Sequence, residues 1–144
     1  MRKLIKQIAT VLLLPLLVVT NVFAEQDLPH RLVIQVSTDQ VRTQTIALNN
    51  AINLQKLYGM DNVIIEVVAY GPGLNLLTTE SSAASRVKSL AAQDITFSAC
   101  QNTMDAVMKK TGKLPVLLEG VQTVNAGVAR IMELQEQGYA YIRP

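Results

Sequence analysis

The chain has 144 residues, with 13 basic and 11 acidic side chains, one histidine and one cysteine. Hydrophobic residues make up 49% and charged residues 17%, enough for a buried core, and no stripe of lysine and arginine interleaved with aromatics speaks for nucleic acid. A single thiol rules out an internal disulfide, and one imidazole with scattered carboxylates leaves zinc or iron without a ligand set, so no metal or other cofactor is expected.

The first 24 residues read as a cleavable secretory signal: Arg2, Lys3 and Lys6, an uncharged stretch from Ile8 to Val19, then Val22-Phe23-Ala24 before Glu25. A spanning helix needs about 20 apolar residues, and this run is shorter and interrupted by Pro15, so no membrane anchor is expected after cleavage. The implied location is the periplasm. Residues 25–144 form one domain, and because three basic residues leave with the signal, ten basic side chains face eleven acidic ones.

Leu32-Val33-Ile34-Gln35-Val36 and Asn62 through Tyr70 read as buried strands. Between them, a stretch free of proline and glycine opens at Asp39, expected as an acidic cap, and closes at Gly59, with Leu48, Ala51, Ile52 and Gln55 on one face. Gly71-Pro72-Gly73 breaks the second strand, and its simplest reading is a tight turn. Ser81–Ala92 is a small-residue helix and Ile95–Ser98 a third strand, followed by a helix over Asn102–Lys110 with Met104, Val107 and Met108 inward. Val121–Val124 is favoured over Leu114–Leu118 as the fourth strand. Asn125 is expected to cap a helix whose Val128, Ile131, Met132 and Gln135 share a face, Gly138 ends it, and Tyr139–Ile142 is a terminal strand. Sustained strand–helix alternation gives an α/β fold, a three-layer α/β/α sandwich on a mainly parallel sheet.

In such sheets chemistry gathers at the carboxyl ends of the strands, where loops lead into helix starts. Cys100 falls on that edge, where a strand hands over to a helix, and unpaired N–H groups there favour thiolate over thiol. Gln101, Asn102 and Thr103 would supply the donors. Ser37-Thr38-Asp39, Gly71-Pro72-Gly73 and Asn125-Ala126-Gly127 arrive from neighbouring strand ends and would line a shallow pocket beside it, with Asp39, Gly71, Pro72, Gly73 and Asn125 as its lining residues. The competing reading is a buried cysteine that only fills space.

Other chemistries lack their parts. A Ser-His-Asp or Cys-His hydrolase needs an imidazole, and His30 lies outside every expected element. A phosphate loop is missing, and Asp39, Glu66, Asp94, Asp105 and Glu119 form no acid–base pair. Sulfur chemistry remains, because one activated thiolate can accept a sulfane sulfur, hold it as a persulfide and pass it to another thiol.

Three segments, Val67-Val68-Ala69-Tyr70-Gly71-Pro72-Gly73-Leu74, Phe97-Ser98-Ala99-Cys100-Gln101-Asn102-Thr103-Met104, and Gly127 through Pro144, resemble the DsrE/DsrF-like family in order and spacing. The resemblance implies a five-stranded parallel sheet between helices and assembly into homo-oligomers, as trimers or hexamers. In the sulfur-relay members it implies a cysteine that carries persulfide sulfur during sulfur oxidation or transfer RNA thiolation. Only Cys100 maps onto that role. The exported leader departs from the cytoplasmic relay members, and the surroundings of Cys100 resemble those of the small stand-alone branch. The leading expectation is therefore a periplasmic sulfurtransferase-like carrier whose partners would be a small sulfur species or a thiol-bearing protein. The alternatives are a non-catalytic homo-oligomeric module for a small ligand or anion, and a thiol redox sensor.

Overall fold

The computed structural model describes residues 29–144; the expected signal segment lies outside the described residues. Five strands, β1 (His30–Val36), β2 (Val63–Ala69), β3 (Thr96–Cys100), β4 (Val121–Val124) and β5 (Ala140–Ile142), form one sheet in the order β4-β3-β2-β1-β5. Every pairing is parallel, with Ile34 opposite Val67, Val67 opposite Phe97 and Cys100 opposite Val124. The helices are α1 (Val41–Tyr58), α2 (Ala84–Ala91), α3 (Gln101–Thr111) and α4 (Gly127–Glu136).

Strand order fixes the layers. From β1 to β4 each crossover steps in the same direction along the sheet, so right-handed connections place α1, α2 and α3 on one face. The last connection reverses direction, from the β4 edge to the β5 edge, and carries α4 across the opposite face. Side-chain parity follows. Leu32, Ile34, Val36, Ile65, Val67, Phe97 and Ala99 enter a large core with Ala47, Leu48 and Ala51 of α1, Val87 and Leu90 of α2, and Met104 of α3. Fully burying a side chain of the size of Phe97 or Leu48 contributes about 1.5–3 kcal/mol each. The opposite face has a much smaller apolar cluster, Val33 and Val68 beneath Ile131 and Leu134 of α4.

The expected strands, the inward face of α1 and the choice of Val121–Val124 as a strand hold. Several local expectations do not. Asp39 does not cap α1: the cap position is Gln40, whose N–H donates to the Thr38 hydroxyl at 3.2 Å. Gly71-Pro72-Gly73 is no simple turn but opens a 3-10 helix over Gly71–Leu77, which buries Leu74, Leu76 and Leu77. α2 starts three residues later than Ser81, because the Ser81 hydroxyl and carbonyl accept the N–H groups of Ala83 and Ala84 in a preceding turn. On α3 Met104 enters the core, whereas Met108 is 45% exposed, where the later turns of the helix border an open groove at Val107 and Thr111. On α4 the inward residues are Gly127, Ile131 and Leu134; Val128 and Met132 are 67% and 58% exposed. The 3.6-residue period allowed either stripe, and the close approach at Gly127 selects the observed one.

Candidate functional site around Cys100

The loops after β3 and β4 leave adjacent strands for opposite faces, β3 into α3 and β4 into α4. That divergence is the topological switch point of the sheet, the place where an α/β fold opens a crevice. Cys100 is the last residue of β3 and immediately precedes α3 in extended conformation, φ −78° and ψ 117°. Its side chain shares the α4 side of the sheet with Ser98, two residues before it.

Two helix starts therefore converge on one sulfur. Burial alone pushes the Cys100 thiol up, but hydrogen bonds from the Thr103 hydroxyl and from the backbone N–H groups of Gly127, Thr103 and Asn102 outweigh it, and the thiol lies below its ordinary value. No charged side chain is among these influences. The Thr103 hydroxyl is itself oriented, because its oxygen accepts the Gly71 N–H at 2.9 Å and leaves its proton for the sulfur. The Asn102 N–H also donates to the Asn125 carbonyl at 3.2 Å, which ties the β4–α4 loop to the first turn of α3.

Gly127 explains how α4 comes close enough. A Cβ at this position would stand 2.9 Å from Cδ1 and 3.0 Å from Cβ of Tyr70, so only glycine lets the first turn of α4 rest against that ring. Glu66, 3% exposed, lies on the same face beneath α4. Its Oε1 accepts the Ser98 hydroxyl at 2.6 Å and Nε of Arg130 at 2.8 Å, and its Oε2 accepts Nη2 of Arg130 at 2.8 Å. Ser98 in turn accepts Nε2 of Gln122 at 2.8 Å, completing a polar cluster across β2, β3, β4 and α4.

The residues expected around the thiol separate into two groups. Thr103 and Asn102 reach the sulfur, and Asn125 acts through its carbonyl and not as a helix cap; the cap position is Ala126. Gln101 does not take part: its Nε2 donates to Asp105 Oδ1 at 2.7 Å on the outer surface of α3. Asp39 is exposed and no described hydrogen bond or ion pair joins it to the Cys100 cluster. Gly71 and Pro72 line a groove of about 510 Å³ that runs along Val107 and Thr111 of α3, but Gly73, Asp39, Asn125 and Cys100 do not. Gly73 is buried instead, where a Cβ would run into the Val36 carbonyl. The single expected pocket is thus two places, an open groove on one side of Gly71 and a tight cradle on the other, with Cys100 only 5% exposed.

Sequence reasoning placed Gly127 beside the thiol within Asn125-Ala126-Gly127 but missed Glu66, Ser98, Tyr70, Gln122 and Arg130. The available signal was polar residues at alternate positions in otherwise apolar strands, Glu66 in β2 and Ser98 in β3, which mark a sheet face that is not pure core. His30 sits at the amino end of β1, its ring 3.9 Å from that of Tyr58, at the edge of the sheet opposite to Cys100. Among the described residues no three His, Cys, Asp or Glu side chains gather as a metal site, and no helix is long and apolar enough to cross a membrane.

No curated protein matches the chain. The solved structure of the protein of unknown function MTH1491 from Methanobacterium thermoautotrophicum is similar: 36% identity, a TM-score of 0.72, and 80% of this chain aligned to 99% of that one. A model of the DsrE/DsrF-like family matches residues 30–144, which span every strand and helix described above together with Cys100. The chain belongs to the DsrE/DsrF-like family.

Proposed function

We propose that the protein is an exported sulfur carrier that holds sulfane sulfur as a persulfide on Cys100. The observation that carries this reading is the convergence of the α3 and α4 starts, with Thr103, on a thiol whose burial would otherwise disfavour its anion. A cysteine that merely filled space would need apolar neighbours, whereas this one is surrounded by N–H and O–H donors. Family membership supports a sulfur-relay-related role. The exported location rests on the signal-like residues 1–24.

The chemistry balances without a cofactor. The Cys100 thiolate attacks the outer sulfur of a donor such as thiosulfate, a sulfur–sulfur bond forms, and sulfite leaves with the electron pair of the broken bond. An acceptor thiolate, or cyanide as a laboratory stand-in, then attacks the terminal sulfur and regenerates the Cys100 thiolate. Because Cys100 is nearly covered in one subunit, we include in the proposal a homo-oligomer in which sister subunits border the entrance. Exposed Val128, Met132, Ile64 and Tyr141 on the α4 side support such an assembly.

The test is direct. Purified protein incubated with thiosulfate or polysulfide gains the mass of sulfur, loses it on cyanolysis, and gains none as Cys100→Ser. Absence of any adduct would refute the carrier and favour the anion-binding module. A disulfide-linked dimer after mild peroxide, absent in Cys100→Ser, would favour the redox sensor.

A further inference from the structure

The first turn of α4 delivers the Gly127 N–H to the sulfur, and its close apolar contact is the bare Gly127 backbone against the Tyr70 ring, with no apolar side chain of its own buried. Val128 is exposed, Ala129 is small, and the buried apolar residues of the helix, Ile131 and Leu134, come later. The polar tie from this turn to the sheet is Arg130, one turn on from Gly127, through its two-point ion pair with Glu66 of β2. Within the helix the Arg130 N–H donates to the Ala126 carbonyl at 3.0 Å, so the Arg130 backbone and the helix start belong to one turn, and Glu66 holds the guanidinium. Glu66 is fixed from the other side by Ser98, whose strand ends at Cys100 two residues later. Carboxylate, guanidinium, helix start and thiol thus form a closed mechanical loop across β2, α4 and β3.

An ion pair with a buried carboxylate and a partly exposed guanidinium is a modest source of stability, because the cost of desolvating Glu66 offsets much of the attraction. The pair has a better use in geometry, since two parallel N–H···O bonds fix both distance and angle. We propose that Glu66 and Arg130 are positioning residues for the Cys100 cradle: their pairing sets where α4 begins and holds the Gly127 N–H on the sulfur. This deepens the carrier reading and takes its functional meaning from it. Neither residue touches the sulfur, and Glu133, 3.6 Å from Nη1 of Arg130, steadies the guanidinium from the solvent side.

The experiment titrates the Cys100 thiolate by its ultraviolet absorbance, taken as a difference against Cys100→Ser, in the purified protein, Arg130→Gln, Arg130→Lys and Leu134→Val. Arg130→Gln is expected to move the midpoint upward and to reduce the thiolate present at neutral pH by about threefold or more. Arg130→Lys, which keeps the charge but not the two-point geometry, falls between wild type and Arg130→Gln. Leu134→Val lowers the melting temperature by loosening the far end of α4 and leaves the midpoint in place. If the uncompensated Glu66 prevents Arg130→Gln from folding, the double variant Glu66→Gln, Arg130→Gln removes both charges and gives the same upward shift. An unmoved midpoint in the Arg130 variants, or an equal shift in Leu134→Val, would overturn the proposal. A depressed wild-type midpoint that rises in Arg130→Gln, in a protein that takes up no sulfur, would leave the positioning role standing and remove the carrier.

Discussion

On one face of the sheet Phe97 and Ile34 are sealed against Leu48 of α1 and Leu77 of the 3-10 helix, whereas the α4 side carries Glu66, Ser98, Gln122 and Cys100. The first face is held by area removed from water, which is tolerant of small shifts in direction. The second adds to its small cluster of Val33, Val68, Ile131 and Leu134 a set of hydrogen bonds and the Glu66–Arg130 ion pair, which are not. A thiolate needs donors at defined positions, and they are supplied on the face where polar side chains already dictate placement. The large core can secure the fold while the opposite face is shaped for chemistry.

Variants on the two faces should therefore fail in different ways. The largest effect is expected from Phe97→Ala, which empties a fully buried ring site and costs about 3–5 kcal/mol in chemical denaturation. Its folded fraction should keep the wild-type thiolate midpoint; a shifted midpoint would show that the faces are not separable. Gly127→Ala places a methyl against Tyr70 and should cost about 1–3 kcal/mol through overpacking. Unlike Phe97→Ala, it should also raise the midpoint, as α4 backs away and its first N–H leaves the sulfur.

Thr103→Val is smaller in stability, about 1 kcal/mol, because it removes a hydroxyl that bonds Gly71 and the sulfur. Its midpoint should rise while its melting curve stays close to wild type, the mirror image of Phe97→Ala. The smallest effect is the pH dependence of stability itself. The folded thiol lies below its unfolded value, so between the two the unfolded chain binds more protons and stability rises with pH. Cys100 therefore contributes fully above the unfolded value, and the contribution disappears as pH falls through the folded one. Comparing denaturation of wild type and Cys100→Ser across that window should show the gap narrowing toward acid; a constant gap would contradict the donors assigned to the sulfur.

Much of the site lay within reach of the sequence where it depends on neighbours along the chain. Cys100 at a strand-to-helix junction and donors at Asn102 and Thr103 are local features, because the N–H groups of a first turn follow directly from the residue before it. Gln101 is local too, but its side chain had a better partner one turn away in Asp105. Asp39 and Asn125 read as caps by residue type alone, yet the first is bypassed by Thr38 and the second bonds through its carbonyl. Gly73 suits a turn equally well, and only the neighbouring end of β1 reveals that it is a close contact.

The sequence by itself determined the alternation of strands and helices, the family, and the lone thiol at the end of a strand, since periodicity and chain order are local properties. Tertiary structure alone decided that α4 crosses the opposite face from α3, that it turns Gly127, Ile131 and Leu134 inward, and that Glu66 meets Arg130 sixty-four residues away. These depend on strand order and on which face each crossover covers, which no window of neighbouring residues contains. A hydrogen bond from Gly127 to Cys100 is the sum of those choices, made between two helix starts that are remote in sequence and adjacent only because β3 and β4 are.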